Sequence, residues 1–117
     1  MDIKLNRKIM KHSRLLKTLL TEYVAERAHR KDLNYQLLID PVHRHYQVIL
    51  NGWQANQFVH RILFHLEVKT DAKIWIWVNK TELDIGTVLG LQGVPLTEMV
   101  LGFYPVHLRE LSDYAVS

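Results

Sequence analysis

The chain has 117 residues, a length that suits one domain able to bury roughly two-thirds of the surface its unfolded form exposes. Apolar residues make up 48% of it and charged residues 23%, which excludes a disordered chain, and the longest apolar run, Ile74 to Val78, is far short of a membrane span. With no cysteine, disulfides, thiolate nucleophiles, iron–sulfur clusters and Cys-based zinc sites are excluded. No basic-then-apolar leader opens the chain, so the expectation is a cytoplasmic protein, a single domain over residues 1–117, that does not enter a membrane. The net charge of +3 hides an asymmetry: residues 1–31 hold nine Lys/Arg against Asp2, Glu22 and Glu26, and the rest of the chain is mildly acidic.

Residues 3–28 read as one long amphipathic helix. Leu5, Ile9, Leu16, Leu19, Leu20 and Tyr23 recur at helical spacing on one face together with His12. Lys4, Arg7, Lys8, Lys11 and Arg14 fall on the opposite face. Such a basic stripe is either a solvated helix face or a nucleic-acid contact.

From residue 34 the period changes to two. Tyr35 to Ile39 reads as a short strand stopped by Asp40-Pro41, and 45–53 as a second strand running into Gly52-Trp53. Gln54 to Gln57 reads as a polar connection, 58–69 as a longer strand, and Thr70-Asp71-Ala72 as a turn into a strand at 73–79. The lengths predict an antiparallel meander. Pairing Val68 with Ile74 puts Phe64, Leu66, Val68, Ile74, Ile76 and Val78 on one face. Placing Trp53 opposite Val59 adds Tyr46, Val48 and Leu50 to it. The long helix is expected to cover that face. The other face then carries Ile49, Leu63, His65, Glu67, Trp75 and Trp77, too apolar for water alone. Either it is an interface, with Trp53, Leu63, Trp75 and Trp77 as its residues and a homo-oligomer as the simplest product, or the C-terminal segment folds over it.

Thr81 is the expected N-cap of a helix over 82–92, closed by Gly93 and Pro95. Gly86, Gly90 and Gly93 read as packing and capping positions, because no phosphate loop precedes the helix. Residues 99–104 form a short apolar stretch, and 106–111 a last helical turn. The fold class is therefore α+β: a long N-terminal helix on an antiparallel β-meander, with a second helix and a short C-terminal helical segment.

Catalytic chemistry finds little support in these residues. The seven histidines show no metal-ligand spacing: His43 and His45 would share a strand face, while His60 and His65 would point to opposite faces. A Mg²⁺-dependent nuclease would use an Asp at one strand end and a Glu-x-Lys on its neighbour, for which Asp40 and Glu67-Val68-Lys69 are the candidates. The expected register sets Glu67 across from His45 rather than Asp40, which argues against that use. No serine or threonine has a base beside it in sequence. No catalytic residue, metal or cofactor is expected, and the protein reads as a non-enzyme.

From residue 45 onward the chain resembles the XisI family, the fdxN-element excision controlling factors. The resemblance rests on His45-Tyr46-Gln47 leading to Gly52-Trp53, on Val59-His60, and on Lys73-Ile74-Trp75-Ile76. Further on it rests on Thr81-Glu82, Gly93-Val94-Pro95, Val100-Leu101-Gly102-Phe103 with Pro105, Arg109, and the ending Tyr114-Ala115-Val116. Family members usually read Gly-Phe-His-Pro-Pro-Glu where this chain has Gly102 to His107, and an Asp-Gly turn where Asn79-Lys80 stands. The resemblance implies a small α+β accessory factor in cyanobacterial DNA-element excision. It also implies a partner of the XisH family and a separate recombinase that does the strand chemistry.

Overall fold

The computed structural model describes residues 2–117. Helix α1 (Ile3–Glu26) starts where the Asp2 carboxylate accepts hydrogen bonds from the backbone N–H groups of Lys4 (2.9 Å) and Leu5 (3.2 Å), satisfying donors that have no partner within the helix. Its last turn is held by Arg27, whose guanidinium donates to the Tyr23 carbonyl (3.1 Å) and lies 3.7 Å from the centre of the Tyr23 ring.

Four antiparallel strands follow: β1 (Leu33–Asp40), β2 (His45–Gln54), β3 (Gln57–Val68) and β4 (Ile74–Asn79). Each turn has its own chemistry. Asp40 accepts from the N–H groups of Val42 and His43, an Asx turn, so His43 lies in a turn and not on a strand face with His45. Ala55 takes a positive φ of 55° in a two-residue hairpin, Ala55-Asn56, closed by Gln54 opposite Gln57. Between β3 and β4, Ala72 takes φ 72° and Asp71 accepts from the Lys73 N–H.

The register agrees with the sequence reading at the pair that closes the β3–β4 hairpin, Val68 opposite Ile74, and departs from it further out. Val48 faces Phe64 but Ile49 faces Ile62, so Leu63 is an extra residue in β3. A bulge of this kind reverses the alternation beyond it. Four expectations are corrected as a result. Leu63 is 6% exposed and lies in the core beneath α1, not on the tryptophan face. Trp53 stands opposite Phe58, not Val59. His60 and His65 lie on the same face, opposite Asn51 and Gln47 of β2. A second bulge at Trp77 pairs Val78 with His65, which takes Val78 off the core face.

The core is otherwise the one expected. Leu16, Leu20 and Tyr23 of α1 pack on Tyr46, Val48, Leu50, Phe64, Leu66, Val68, Ile74 and Ile76. Tyr23 meets Phe64 edge-on, ring centres 4.9 Å apart at 89°, a favoured aromatic arrangement.

After β4 the chain departs from a plain meander. Helix α2 spans Ile85–Leu91 and its N-cap is Asp84, which accepts from the Thr87 N–H (3.2 Å). Thr81 instead folds its hydroxyl onto Asn79 and Leu83. Gly93, at φ 93°, stops α2 and lets the Val94 N–H reach the Leu89 carbonyl. A short 3-10 turn (Leu96–Glu98) leads into a fifth strand, β5 (Met99–Leu101), parallel to β4, and a final helical turn, α3 (Val106–Arg109), is shorter than expected. The sheet order is β1-β2-β3-β4-β5, with α1 against one face, so the architecture is α+β with a mostly antiparallel sheet.

Candidate functional site

The face of the sheet turned away from α1 carries a continuous side-chain network at its β3–β4 end. Trp75 and Trp77 stack with ring centres 5.0 Å apart and 29° between planes. The Trp77 indole N–H donates to the Glu67 carboxylate (2.9 Å), whose other oxygen is 3.7 Å from Nε2 of His45. Nδ1 of His45 lies 2.9 Å from Nε2 of His65, so one of the two rings donates a proton to the other. Burial, and then the neighbouring His45, lower the pKa of His65 below its ordinary value, with Glu67 opposing them.

Two cations close over the tryptophans. The Lys69 ammonium lies 4.0 Å from the centre of the Trp75 ring, and the Arg109 guanidinium 5.2 Å from it. Arg109 also binds the C-terminal segment together: it donates to the carbonyls of Leu101 (3.3 Å), Tyr104 (3.0 Å), Gly102 (3.4 Å) and Val116 (3.4 Å). Gly102 lies flat on Trp77, where a Cβ would come within 2.7 Å of the ring. Trp75 is in consequence only 9% exposed and Trp77 half-buried. Of the two alternatives for this face, the C-terminal segment covers the β4 end.

Trp53 belongs to a different place. It stands at the tip of the β2–β3 hairpin, eight residues along β2 from His45, about 26 Å at strand rise. There it packs on Phe58 (5.2 Å between ring centres), with Trp53 62% and Phe58 60% exposed. The four residues expected to form one interface are thus dispersed: Leu63 is in the core, Trp75 and Trp77 lie under the C-terminal segment, and Trp53 is free at the hairpin tip. Sequence reasoning missed Phe58, although the short Ala55-Asn56 turn that sets it against Trp53 was a usable signal. It also missed the cover that Arg109 provides, which no local pattern announces because Trp75 is distant in sequence.

The basic stripe is on the surface as expected. Lys4, Arg7, Lys8, Lys11 and Arg14 are all exposed. Lys8 forms an ion pair with Glu98 of the 3-10 turn, and among the described residues the other four have no ion-pair partner. One turn after Lys8 and next to Lys11, on the buried side, His12 donates from Nδ1 to the Ala72 carbonyl (2.7 Å). Burial above all holds the pKa of His12 below its ordinary value; the hydrogen bond opposes this, and Lys8 and Lys11 add to it.

The carboxylates weighed for metal chemistry are separated and engaged. Asp40 and Glu67 sit on opposite sides of β2, both registered on His45, roughly 10 Å apart at two strand spacings. A Mg²⁺ ion needs oxygens at about 2.1 Å. Asp40 also accepts from the His43 ring (2.8 Å), and His43's backbone and ring hydrogen bonds hold its carboxyl below the usual range. Lys69 is occupied on the tryptophans. Among the described residues no group of three or more potential ligands converges on a metal position, and no helix is long and apolar enough to cross a membrane.

Residues 6–116 match the protein family described as XisI protein. Among solved structures, the chain is similar to a XisI-like protein from Anabaena variabilis ATCC 29413, with 34% identity over 93% of this chain and 99% of that one and a TM-score of 0.86. It is also similar to the fdxN element excision controlling factor XisI from the same organism, with 25% identity over 94% and 99% of the two chains and a TM-score of 0.81. No curated protein matches it.

Proposed function

We infer, from the premise that the chain belongs to the XisI family, that it is a non-enzymatic controlling factor for site-specific excision of a DNA element. It acts through protein–protein contacts with a XisH-like partner or with the recombinase that cuts and rejoins the strands. The observation that carries this reading is the likeness, along nearly the whole chain, to a solved excision controlling factor. The geometry supports it in a second way: the acidic residues suited to strand cleavage are engaged elsewhere, while large apolar side chains stand on the surface at the hairpin tip and along the C-terminal segment, among them Phe103, Val106 and Leu111. Exposed apolar groups of this size are what a partner-binding protein presents. A plasmid excision assay with the recombinase and the XisH-like partner, with and without this chain, tests the reading. The extent of excision should depend on the chain, and equal excision in its absence sinks the idea.

A second reading, direct DNA binding, is favoured by one observation: Lys4, Arg7, Lys11 and Arg14 form an exposed stripe of cations with no ion-pair partner among the described residues. Phosphate contacts are what such a stripe offers. A mobility-shift series over salt concentration tests it apart from the partner contacts.

A further inference from the structure

Strand β3 is twice as long as the strand beside it. β4 pairs with Phe64 to Val68 and makes its last contact where the Lys80 N–H donates to the Leu63 carbonyl (2.9 Å). Beyond that point Gln57 to Ile62 has β2 on one side and, among the described residues, no strand on the other. The two-residue turn makes Gln54 and Gln57 the closing hydrogen-bonded pair. Alternation then turns the N–H and C=O of Val59 and Arg61 toward β2, and those of Phe58, His60 and Ile62 outward. This free edge is about 20 Å long.

Its side chains fit a copy of themselves. Phe58 and Ile62 are large and exposed, His60 stacks beside Phe58 (6.3 Å), and Trp53 adjoins them. The outward-facing residues of β1, β2 and β3 from Asn34 to Leu38, Gln47 to Trp53 and Phe58 to His65 include no Asp, Glu, Lys or Arg. A two-fold axis on this edge therefore sets no like charges against each other on that face. The inward side chain of Arg61 adjoins a groove of ≈ 570 Å³ whose lining includes Glu22 and Glu82, neither in an ion pair among the described residues. Arg27, paired with Glu26, and Lys80 line the groove as well, so the two carboxylates balance Arg61 and Lys80 of the same copy.

We propose that a second copy of this chain docks on this edge, β3 pairing antiparallel with β3 about a two-fold axis at His60. That register faces Phe58 with Ile62 of the second copy, Ile62 with its Phe58, and each His60 with the other. It engages all three outward-directed backbone positions of both strands, more than registers centred one residue to either side. The hairpin tip of each copy enters the notch that the short β4 of the other leaves open. The free edge of β1 is the weaker alternative, because of its outward side chains only Leu38 is large and apolar, beside Asn34 and Gln36. Six residues a side and the flanking Trp53 bury on the order of 1,000–1,400 Å² in total, the lower end of a standard interface, so association is reversible and read at micromolar concentrations.

The inference stands apart from the excision role, and its test contains neither DNA nor a second protein. Sedimentation equilibrium on the full chain should show a monomer–dimer equilibrium. His60→Asp and His60→Lys should each weaken it about fivefold or more by placing like charges at the axis, and an equimolar mixture of the two should recover association. Circular dichroism confirms that the exposed substitutions leave the fold intact, and Phe58→Ser, off the axis, should weaken the dimer in the same way. A chain that stays monomeric, a dimer indifferent to His60, or a mixture no stronger than its components would each overturn the proposal. A dimer lost on Leu38→Asp but not on Phe58→Ser would place the pairing on β1 and overturn it equally.

Discussion

Replacing Leu63 and Phe64 by alanine, one at a time, tests the bulge on which the arrangement of β3 depends. In a regular strand, neighbouring residues point to opposite faces, so one member of the pair should be cheap to truncate. With the bulge, Leu63 is 6% exposed and Phe64 fully buried, both on the α1 side. Leu63→Ala removes three carbon atoms, roughly 2.4 kcal/mol of transfer free energy at about 0.8 kcal/mol per carbon. Because Leu63 also lines the groove beside Arg61 and Lys80, part of the void opens to water and adds little, giving about 2–3 kcal/mol. Phe64 has no such outlet and loses its edge contact with Tyr23, so Phe64→Ala should cost about 3–5 kcal/mol. For a chain of this length the corresponding falls in Tm are roughly 10 °C and 15 °C. Urea unfolding followed by circular dichroism reads both, with the slope against denaturant unchanged. A cost below about 0.5 kcal/mol for Leu63→Ala, the usual size of a surface change, would refute the bulge and with it the face assignment of every residue from Phe58 to Ile62.

Arg109→Ala removes the group that ties four carbonyls of the C-terminal segment together over Trp75; tryptophan fluorescence should become more accessible to acrylamide, and an unchanged quenching constant would mean the segment is held by other contacts. His12 has a folded pKa below its ordinary 6.5, so the unfolded chain binds the extra proton, and the stabilisation is complete above about pH 6.5 and lost as pH falls through the folded value. Unfolding free energy should therefore drop on acidification from pH 7.5, and His12→Gln should flatten the drop, leaving the part due to His65, which shifts in the same direction; an equal slope in the variant would count against His12. If the basic stripe contacts DNA, Lys4→Glu with Lys11→Glu should abolish binding without changing the fold, and the parent should lose affinity steeply with salt at a slope of about −0.9 per phosphate contact; no DNA affinity at low salt would end that reading.

Which parts of this fold were legible follows from how local their causes are. Helix α1 was readable because its 3.6-residue period runs unbroken over six turns. The central pairing of β3 with β4 was readable because a one-residue slip would have turned Phe64, Leu66, Ile74 and Ile76 out of the core together. The end of α2 was readable from Gly93, whose left-handed φ suits that residue type. Its start was not: Thr81 and Asp84 are both good caps, and Thr81 was claimed by Asn79. The bulges at Leu63 and Trp77 have no composition signal, since Leu and Trp suit an ordinary strand, and a bulge answers to the helix and hairpin packed around it. Strand β5 is three residues long, too short for a period, and its partner β4 lies across the α2 connection. For the candidate surface, residue types singled out the aromatic side chains, and the C-terminal segment, folding over Trp75 and Trp77, decided which of them stayed in contact with water.

The same bulge decides what the free edge of β3 shows to a neighbour. Had the strand alternated regularly from Phe64, the outward face of the tip would carry Val59, Arg61 and Leu63, and Phe58, His60 and Ile62 would lie inward. Two-fold pairing would then bring a guanidinium from each copy onto one open face, a like-charge arrangement that works against association. With Leu63 taken up as a bulge, Arg61 turns to the groove side, among Glu22, Glu82 and Lys80, and the outward face is left with Phe58, His60 and Ile62. Taking up Leu63 as a bulge and not as a shift of register thus fills the core beneath α1 and keeps Arg61 off the outer face of the strand edge that β4 leaves unpaired. That gives a double reading for deletion of Leu63: the chain should lose stability through the core, and if it folds, pairing through this edge should survive, because Ile62 then directly precedes the inward Phe64 and regular alternation keeps Phe58, His60 and Ile62 outward and Arg61 inward. A deletion variant that folds with undiminished stability, or one that folds but no longer associates, would refute the register on which both effects rest.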